Sequence, residues 1–93
     1  MPFLRFLTYS LLNHRPVRVL LSEPKMMYAN LTVILMEDDH FVALKAGRKA
    51  PVVIPYDQVL AVSYARGDDG DTMKRFFQQS TQQETEEEHD KDD

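Results

Sequence analysis

The chain has 93 residues, no cysteine and a formal net charge of −4 at pH 7. This length suffices for one domain and not for two, and the lack of cysteine excludes disulfides and thiolate metal sites. The charge is divided unevenly, since residues 1–67 carry eight basic and five acidic side chains (net +3), whereas residues 68–93 carry three basic and ten acidic ones (net −7). The composition predicts a basic folded body over residues 1–66 and an acidic flexible tail over residues 67–93.

The first segment is apolar with helical spacing. Its apolar positions at this spacing are Phe3, Phe6, Leu7 and Leu11. Pro2 suits a first helical turn, and Pro16 pushes the residue before it out of helical geometry. We therefore predict a helix over residues 3–13 that covers one end of a small barrel, with a membrane-surface helix as the alternative. The apolar stretch is too short to span a bilayer and no cleavage site follows it, so a soluble cytoplasmic protein is expected.

Five short segments rich in apolar and β-branched residues follow the helix. They cover residues 16–21, 26–36, 41–44, 52–54 and 59–64, and polar turn sequences separate them. The second segment is long, and Ala29 and Asn30 are its expected bend. The fold prediction is mainly β, with an N-terminal helix and a five-stranded bent antiparallel sheet that forms a small barrel.

After Arg66 the composition changes abruptly. Residues 67–71 read as a linker, and residues 72–79 can form one or two helical turns that carry Phe76 and Phe77. From Ser80 onward the chain is almost entirely Gln, Thr, Glu and Asp. Such a segment buries too little apolar surface to repay its ordering entropy. Its functional interpretation is competition with nucleic acid for a basic surface of the same molecule.

No catalytic constellation is recognisable. The three histidines lie in three separate segments and have no partner at metal-ligand spacing. Neither a nucleophile motif nor a phosphate-binding glycine loop is present. The cluster of Glu37, Asp38 and Asp39 can attract a cation, but it also fits a solvated hairpin turn. The sequence predicts that the chain is not an enzyme and has no cofactor or metal site.

The basic residues of the body suggest contact with phosphates. Arg15 ends the helix, Arg18 lies on the first strand, and Arg48 and Lys49 lie in the loop before the fourth strand. In a ring of identical subunits this set would repeat, which would give a large basic surface. Exposed aromatic rings would add stacking platforms for bases, and the candidates are Phe41, Tyr56 and Tyr64. Scattered surface charge is the alternative interpretation.

One helix followed by five bent strands resembles the Sm-like proteins, and the details resemble their Hfq branch. Residues 6–17, from Phe-Leu to Arg-Pro-Val, resemble that family's helix and strand start. Residues 41–44 (FVAL) and 53–62 resemble its later strands, so the resemblance covers about residues 3–64. It implies an Sm-like barrel, a homo-oligomeric ring and binding of single-stranded RNA. By position it implies base stacking for Phe41 and a rim contact for Arg15.

The chain departs from the Hfq pattern at one position that matters for RNA. The family's Lys-His-Ala motif should fall near Tyr56, where the sequence is Pro-Tyr-Asp-Gln, and Asp57 would repel phosphate. Two hypotheses therefore stay open. One is an Sm-like ring that binds single-stranded RNA through Arg15, Arg18, Phe41, Arg48, Lys49 and Tyr56, with the acidic tail modulating binding. The other is a small barrel for protein interaction or oligomerisation without nucleic acid, for which an SH3-like barrel is the alternative fold.

Overall fold

The computed structural model describes residues 3–78. Its elements are helix α1 (Phe3–Asn13) and strands β1 (Val17–Ser22), β2 (Lys25–Met36), β3 (His40–Lys45), β4 (Pro51–Pro55) and β5 (Val59–Tyr64). A single 3₁₀ turn, Tyr56–Gln58, joins β4 to β5, and residues 71–78 are helical. The predicted helix and five strands are confirmed, as is the mainly β fold class. The residues expected to form most of the acidic tail, 79–93, lie outside the described part of the chain.

All five strands belong to one antiparallel sheet with the order β4-β3-β2-β1-β5. Consecutive strands from β1 to β4 form hairpins, and β5 returns to pair with β1. Within residues 3–78, β4 and β5 therefore each pair with a single strand and form the two edges of the sheet. The barrel expected from the sequence would have to close at these edges, and no ladder joins them.

A bulge lies where the sequence predicted a bend. Val17 of β1 pairs with Leu31, whereas Val19 pairs with Tyr28, so Ala29 and Asn30 together face one residue of β1. A bulge of this kind bends its strand and increases the local twist. It divides β2 into a first half that pairs with β1 and a second half that pairs mainly with β3.

The core lies between α1 and the inner face of the sheet. Along β1, Val17, Val19 and Leu21 are buried and alternate with residues that are more exposed, as expected for a strand with one covered face. The other large buried side chains of this face are Leu31, Val33, Phe41 and Ile54, and α1 adds Leu7 and Tyr9. The helix thus covers the inner face and leaves the outer face open.

A serine joins the helix to the part of β2 that β1 does not reach. Ser10 is fully buried, and its Oγ accepts a hydrogen bond of 2.9 Å from the backbone N–H of Val33. Without this contact, a buried N–H beyond the end of β1 would have no partner, which costs about 1–3 kcal/mol. The helix therefore takes the place of a neighbouring strand at this point.

The segment that follows β5 packs against the body, although the sequence suggested a linker at residues 67–71. The Tyr9 hydroxyl donates a 2.8 Å hydrogen bond to Asp68, and Met73 is buried in the core cluster. Phe77 packs against the same cluster, with the guanidinium carbon of Arg5 lying 5.2 Å from the centre of its ring. The helical turns that the sequence allowed at residues 72–79 are present over residues 71–78, and Phe77, one of the two phenylalanines that they carry, packs on the body.

Candidate interaction surfaces

The two ends of strand β3 carry opposite charges. The turn before it contains Glu37, Asp38 and Asp39, and the loop after it contains Arg48 and Lys49 next to the strand's last residue, Lys45. All of these side chains belong to exposed residues. The two groups are separated by the length of a six-residue strand, about 20 Å. We refer to them as the acidic end and the basic end.

The acidic end also includes the 3₁₀ turn after β4. The Tyr56 hydroxyl donates a 2.7 Å hydrogen bond to the carbonyl of Glu37, and the Tyr56 N–H donates one of 3.0 Å to the carbonyl of Asp39. These bonds place Asp57 beside the turn, and a cleft of about 460 Å³ lies between Asp38, Asp39 and Asp57. A cleft lined by three carboxylates repels phosphate, so its chemistry does not suit RNA.

Two titratable groups show the effect of this environment. Burial, followed by the nearby carboxylates of Asp38, Glu37 and Asp39, raises the pKa of Tyr56 above its usual value. The hydrogen bond from the His40 ring (2.6 Å) lowers the pKa of the Asp39 carboxyl. The Tyr56 hydroxyl holds the turn through its hydrogen bond to the carbonyl of Glu37.

Phe41 cannot stack on a base in this structure, which corrects the role that the resemblance implied. Its side chain has no exposed surface. The ring of Tyr56 stacks on it, with 6.0 Å between the ring centres and 20° between the planes. Phe3 of α1 lies beside Tyr56, with 6.1 Å between the centres of the two rings. A base would have to displace Tyr56 and open the core, so Phe41 is a core residue here.

The basic end borders a cleft that the sequence did not reveal. The cleft, of about 300 Å³, is lined by Met26, Tyr28, Lys45, Arg48, Ala50, Pro51 and Val52. The ammonium of Lys45 lies 5.9 Å from the centre of the half-buried Tyr28 ring, within the range of a cation–π contact. Gly47 allows the loop to turn with a φ of +79°. The cleft thus combines cations with an aromatic ring.

The remaining predicted residues are not part of this cleft. Arg15 follows α1 and donates a 3.3 Å hydrogen bond to the Thr72 hydroxyl. Arg18 is half-buried on the outer face of β1, opposite Ser63 of β5. Of the six residues proposed from the sequence, only Arg48 and Lys49 lie together, and Tyr56 lies at the acidic end. Tyr28 and Lys45 were missed because they lie on different strands, and only the sheet register brings them together.

The outer face of the sheet exposes several large apolar side chains. Those with the greatest exposure on the strands are Met27, Ile34, Leu35, Val53 and Leu60. Single exposed apolar residues are normal, but several on one face indicate a contact surface. The outer face and the two sheet edges are therefore candidate protein-interaction surfaces alongside the basic cleft.

Among residues 3–78, no three His, Asp or Glu side chains are grouped so that they could hold a metal ion. Neither is any helix in that range long and apolar enough to cross a membrane. No protein-family model, curated protein or solved structure matches this chain.

Proposed function

We propose that this chain is a self-assembly and protein-interaction module that associates through the two edge strands of its sheet. One observation carries the proposal: β4 and β5 each pair on one side only, and each carries a largely exposed apolar residue, Val53 (61% exposed) and Leu60 (57% exposed). An edge strand presents backbone N–H and C=O groups that a further strand can bind. A β4 edge of one copy that pairs with a β5 edge of the next would build an Sm-like oligomer.

The local sequence of the edges favours a short and specific pairing. Pro51 and Pro55 bound β4, and neither can donate a backbone hydrogen bond. Among the three residues between them, alternate N–H groups point toward β3, so few remain for an added strand and its length is limited. In β5 the register shifts beside Leu60, and such a bulge also interrupts open-ended pairing. Both features oppose fibrous association and favour a closed assembly.

Binding of single-stranded RNA is a second candidate function, located at the basic end. It is supported by the cleft that Tyr28 lines together with Lys45 and Arg48, with the Lys45 ammonium 5.9 Å from the centre of the Tyr28 ring. Cations that bind phosphate and an aromatic ring that stacks on a base are the two components of sequence-tolerant binding to single strands. In an oligomer the cleft would repeat, and the acidic tail would compete with RNA for it.

The assembly proposal is tested by light scattering on the full chain and on Leu60→Lys. We expect the wild type to be multimeric and the variant to have a smaller mass, because a lysine on an edge strand blocks strand addition. Leu12→Lys is the matched control, since Leu12 is equally exposed (57%) but lies on α1. A monomeric wild type, or a variant of unchanged mass, would refute the proposal.

The RNA candidate is tested by fluorescence anisotropy with U-rich and A-rich RNA at two salt concentrations. Arg48→Glu/Lys49→Glu should abolish a salt-sensitive binding signal. The control Arg66→Glu/Lys74→Glu changes the net charge equally at sites outside the cleft and should retain it. A chain that ends at Gln78, which keeps the packed segment and removes the tail, should bind more tightly. Absence of binding by every variant rejects the RNA function and leaves the assembly proposal untouched.

A further inference from the structure

A second apolar surface is formed by side chains on the outer face of β2, β3 and β4, and not by the backbone groups of the sheet edges. We define the outer patch as Ile34, Leu35, Val42 and Val53. Leu35 is 46% exposed and Ile34 is 45% exposed, although both belong to a strand in the interior of the sheet. Val42, at the middle of the patch, is half-buried.

The sheet register arranges this patch as a row across the strands. Leu35 pairs with Val42, and Val42 pairs with Val53. The register shifts between Val33 and Leu35, so Ile34 is an extra residue beside the row. Because neighbouring strands lie about 4.8 Å apart, the row spans roughly 10 Å perpendicular to the strand direction.

The charged groups lie at the two ends of the strands that carry this row. The acidic end contains Glu37, Asp38, Asp39 and Asp57, and the basic end contains Lys45, Arg48 and Lys49. Val42 lies between them along β3. If a second copy of such a surface is turned by 180° about the apolar row and placed on the first, apolar side chains meet apolar side chains and each charged end meets the opposite charge.

We propose that two copies of this chain pack outer patch against outer patch, with their strands antiparallel and the twofold axis along the row of Leu35, Val42 and Val53. This arrangement places the acidic end of each copy near the basic end of the other. The other face-to-face arrangement, with the axis along the strands, would bring like charges together, which opposes association. Charge complementarity therefore selects both a second copy as the occupant and the antiparallel orientation.

The proposed contact has the geometry of an ordinary two-layer β structure. Stacked sheets lie about 10 Å apart with nearly aligned strands and interdigitating side chains. An isologous interface uses one patch twice, so each apolar residue of the row faces its own copy. The contact uses side chains of the outer face and none of the unpaired backbone groups at the edges, so it can form together with pairing between β4 and β5, although Val53 belongs to the edge strand β4.

The test uses single cysteines, because the chain has none of its own. Leu35→Cys and Val53→Cys are made in the full chain and treated with a short bismaleimide, since sheets about 10 Å apart exceed the usual reach of a disulfide. In the proposed dimer each variant cross-links efficiently to itself. In the like-charged arrangement neither would do so, and only a mixture of the two variants would cross-link. That result, or no cross-linking at all, would overturn the proposal.

Two controls separate the proposed contact from collision and from edge pairing. Met27→Cys lies on the same strand with similar exposure (48%), but outside the outer patch, and should not cross-link. Leu60→Lys added to Leu35→Cys should leave the cross-link unchanged, so failure of edge assembly is distinguishable from failure of this contact. Cross-linking of Met27→Cys as strong as that of Leu35→Cys would contradict the proposal.

Charge reversal tests the orientation independently. Arg48→Glu/Lys49→Glu and Glu37→Lys/Asp38→Lys/Asp39→Lys should each lose self cross-linking through Leu35→Cys, because both ends then carry the same sign. An equimolar mixture of the two should regain it, since every end then meets an opposite charge. Unchanged cross-linking in the separate variants, or no recovery in the mixture, would overturn the antiparallel arrangement.

Discussion

The two faces of the sheet differ in how completely they are covered. On the inner face, α1 and the segment after β5 bury Leu7, Tyr9 and Phe41, and buried polar atoms such as the Ser10 hydroxyl have hydrogen-bond partners. On the outer face, Leu35 and Val53 remain about half exposed or more. The inner face is covered by other parts of the same chain. The outer face keeps exposed apolar side chains, and each edge strand keeps one side that pairs with no other strand.

We therefore expect residues of the inner face to determine the stability of the fold and residues of the outer face to determine association. Substitutions on the inner face should lower the free energy of unfolding, because they remove packed volume or hydrogen bonds. Substitutions on the outer face should leave the fold intact and change association. Three predictions test this division, in order of decreasing effect.

Phe41→Ala should lower the free energy of unfolding by about 3–5 kcal/mol, because it leaves a cavity in the core beneath Tyr56. Val53→Ala, on the neighbouring strand, should change it by less than about 0.5 kcal/mol at a concentration where the chain is monomeric. Urea denaturation followed by circular dichroism measures both. A small effect at Phe41 would show that the ring is available for another role, such as base stacking.

High pH should destabilise the inner face through Tyr9. Burial, and then the hydrogen bond to Asp68 and its negative charge, raise the pKa of Tyr9 to about 12 from an ordinary value of 10.0. The neutral hydroxyl is therefore favoured in the folded state. This contribution is fully present below pH 10, and about 2–3 kcal/mol is lost as the pH rises through about 12.

Tyr9→Phe provides the comparison for this pH dependence. The variant should be less stable by about 1 kcal/mol at neutral pH, because the hydrogen bond to Asp68 is lost. It should also show a smaller alkaline loss of stability than the wild type. Denaturation at a series of pH values measures both effects, and equal alkaline losses in the two proteins would contradict the assignment.

Gly70→Ala should undock the segment after β5, at a cost of about 2 kcal/mol. Gly70 has a φ of +82°, and an added Cβ would lie 2.7 Å from a ring carbon of Tyr64. Gly47→Ala is the control, since its φ of +79° is similar but nothing lies within 4 Å, and only the backbone cost of about 1 kcal/mol applies. Thermal unfolding should separate the two variants. Equal shifts would mean that the contact with Tyr64 contributes nothing.

Much of the fold was predictable because its signals are local. Helical spacing predicted α1, and short apolar segments between turn residues predicted the five strands. The bend at Ala29 and Asn30 was also predicted, because a strand as long as β2 has to curve in so small a sheet. The packing of residues 67–77 was missed, since contacts such as Tyr9 with Asp68 join residues far apart in the chain.

The candidate sites were less predictable for the same reason. The sequence identified Arg48 and Lys49, but their cleft depends on Tyr28, which only the pairing of β1, β2 and β3 brings near them. Arg15 and Arg18 were predicted to belong to the same basic surface, but Arg15 follows α1 and Arg18 lies on β1, so both lie on other parts of the surface. Phe41 fits a core residue better than a stacking platform from the sequence, and its burial decides for the core.

By itself, the sequence determined the secondary structure, the mainly β class and the division of charge, since these follow from neighbouring residues and composition. Only the tertiary structure decided which face α1 covers, which strands form the edges and which apolar residues stay exposed. It also decided that Leu35, Val42 and Val53 form an apolar row between the acidic and basic groups at the two ends of β3. Those features depend on strand order and register, which arise from pairing between distant segments.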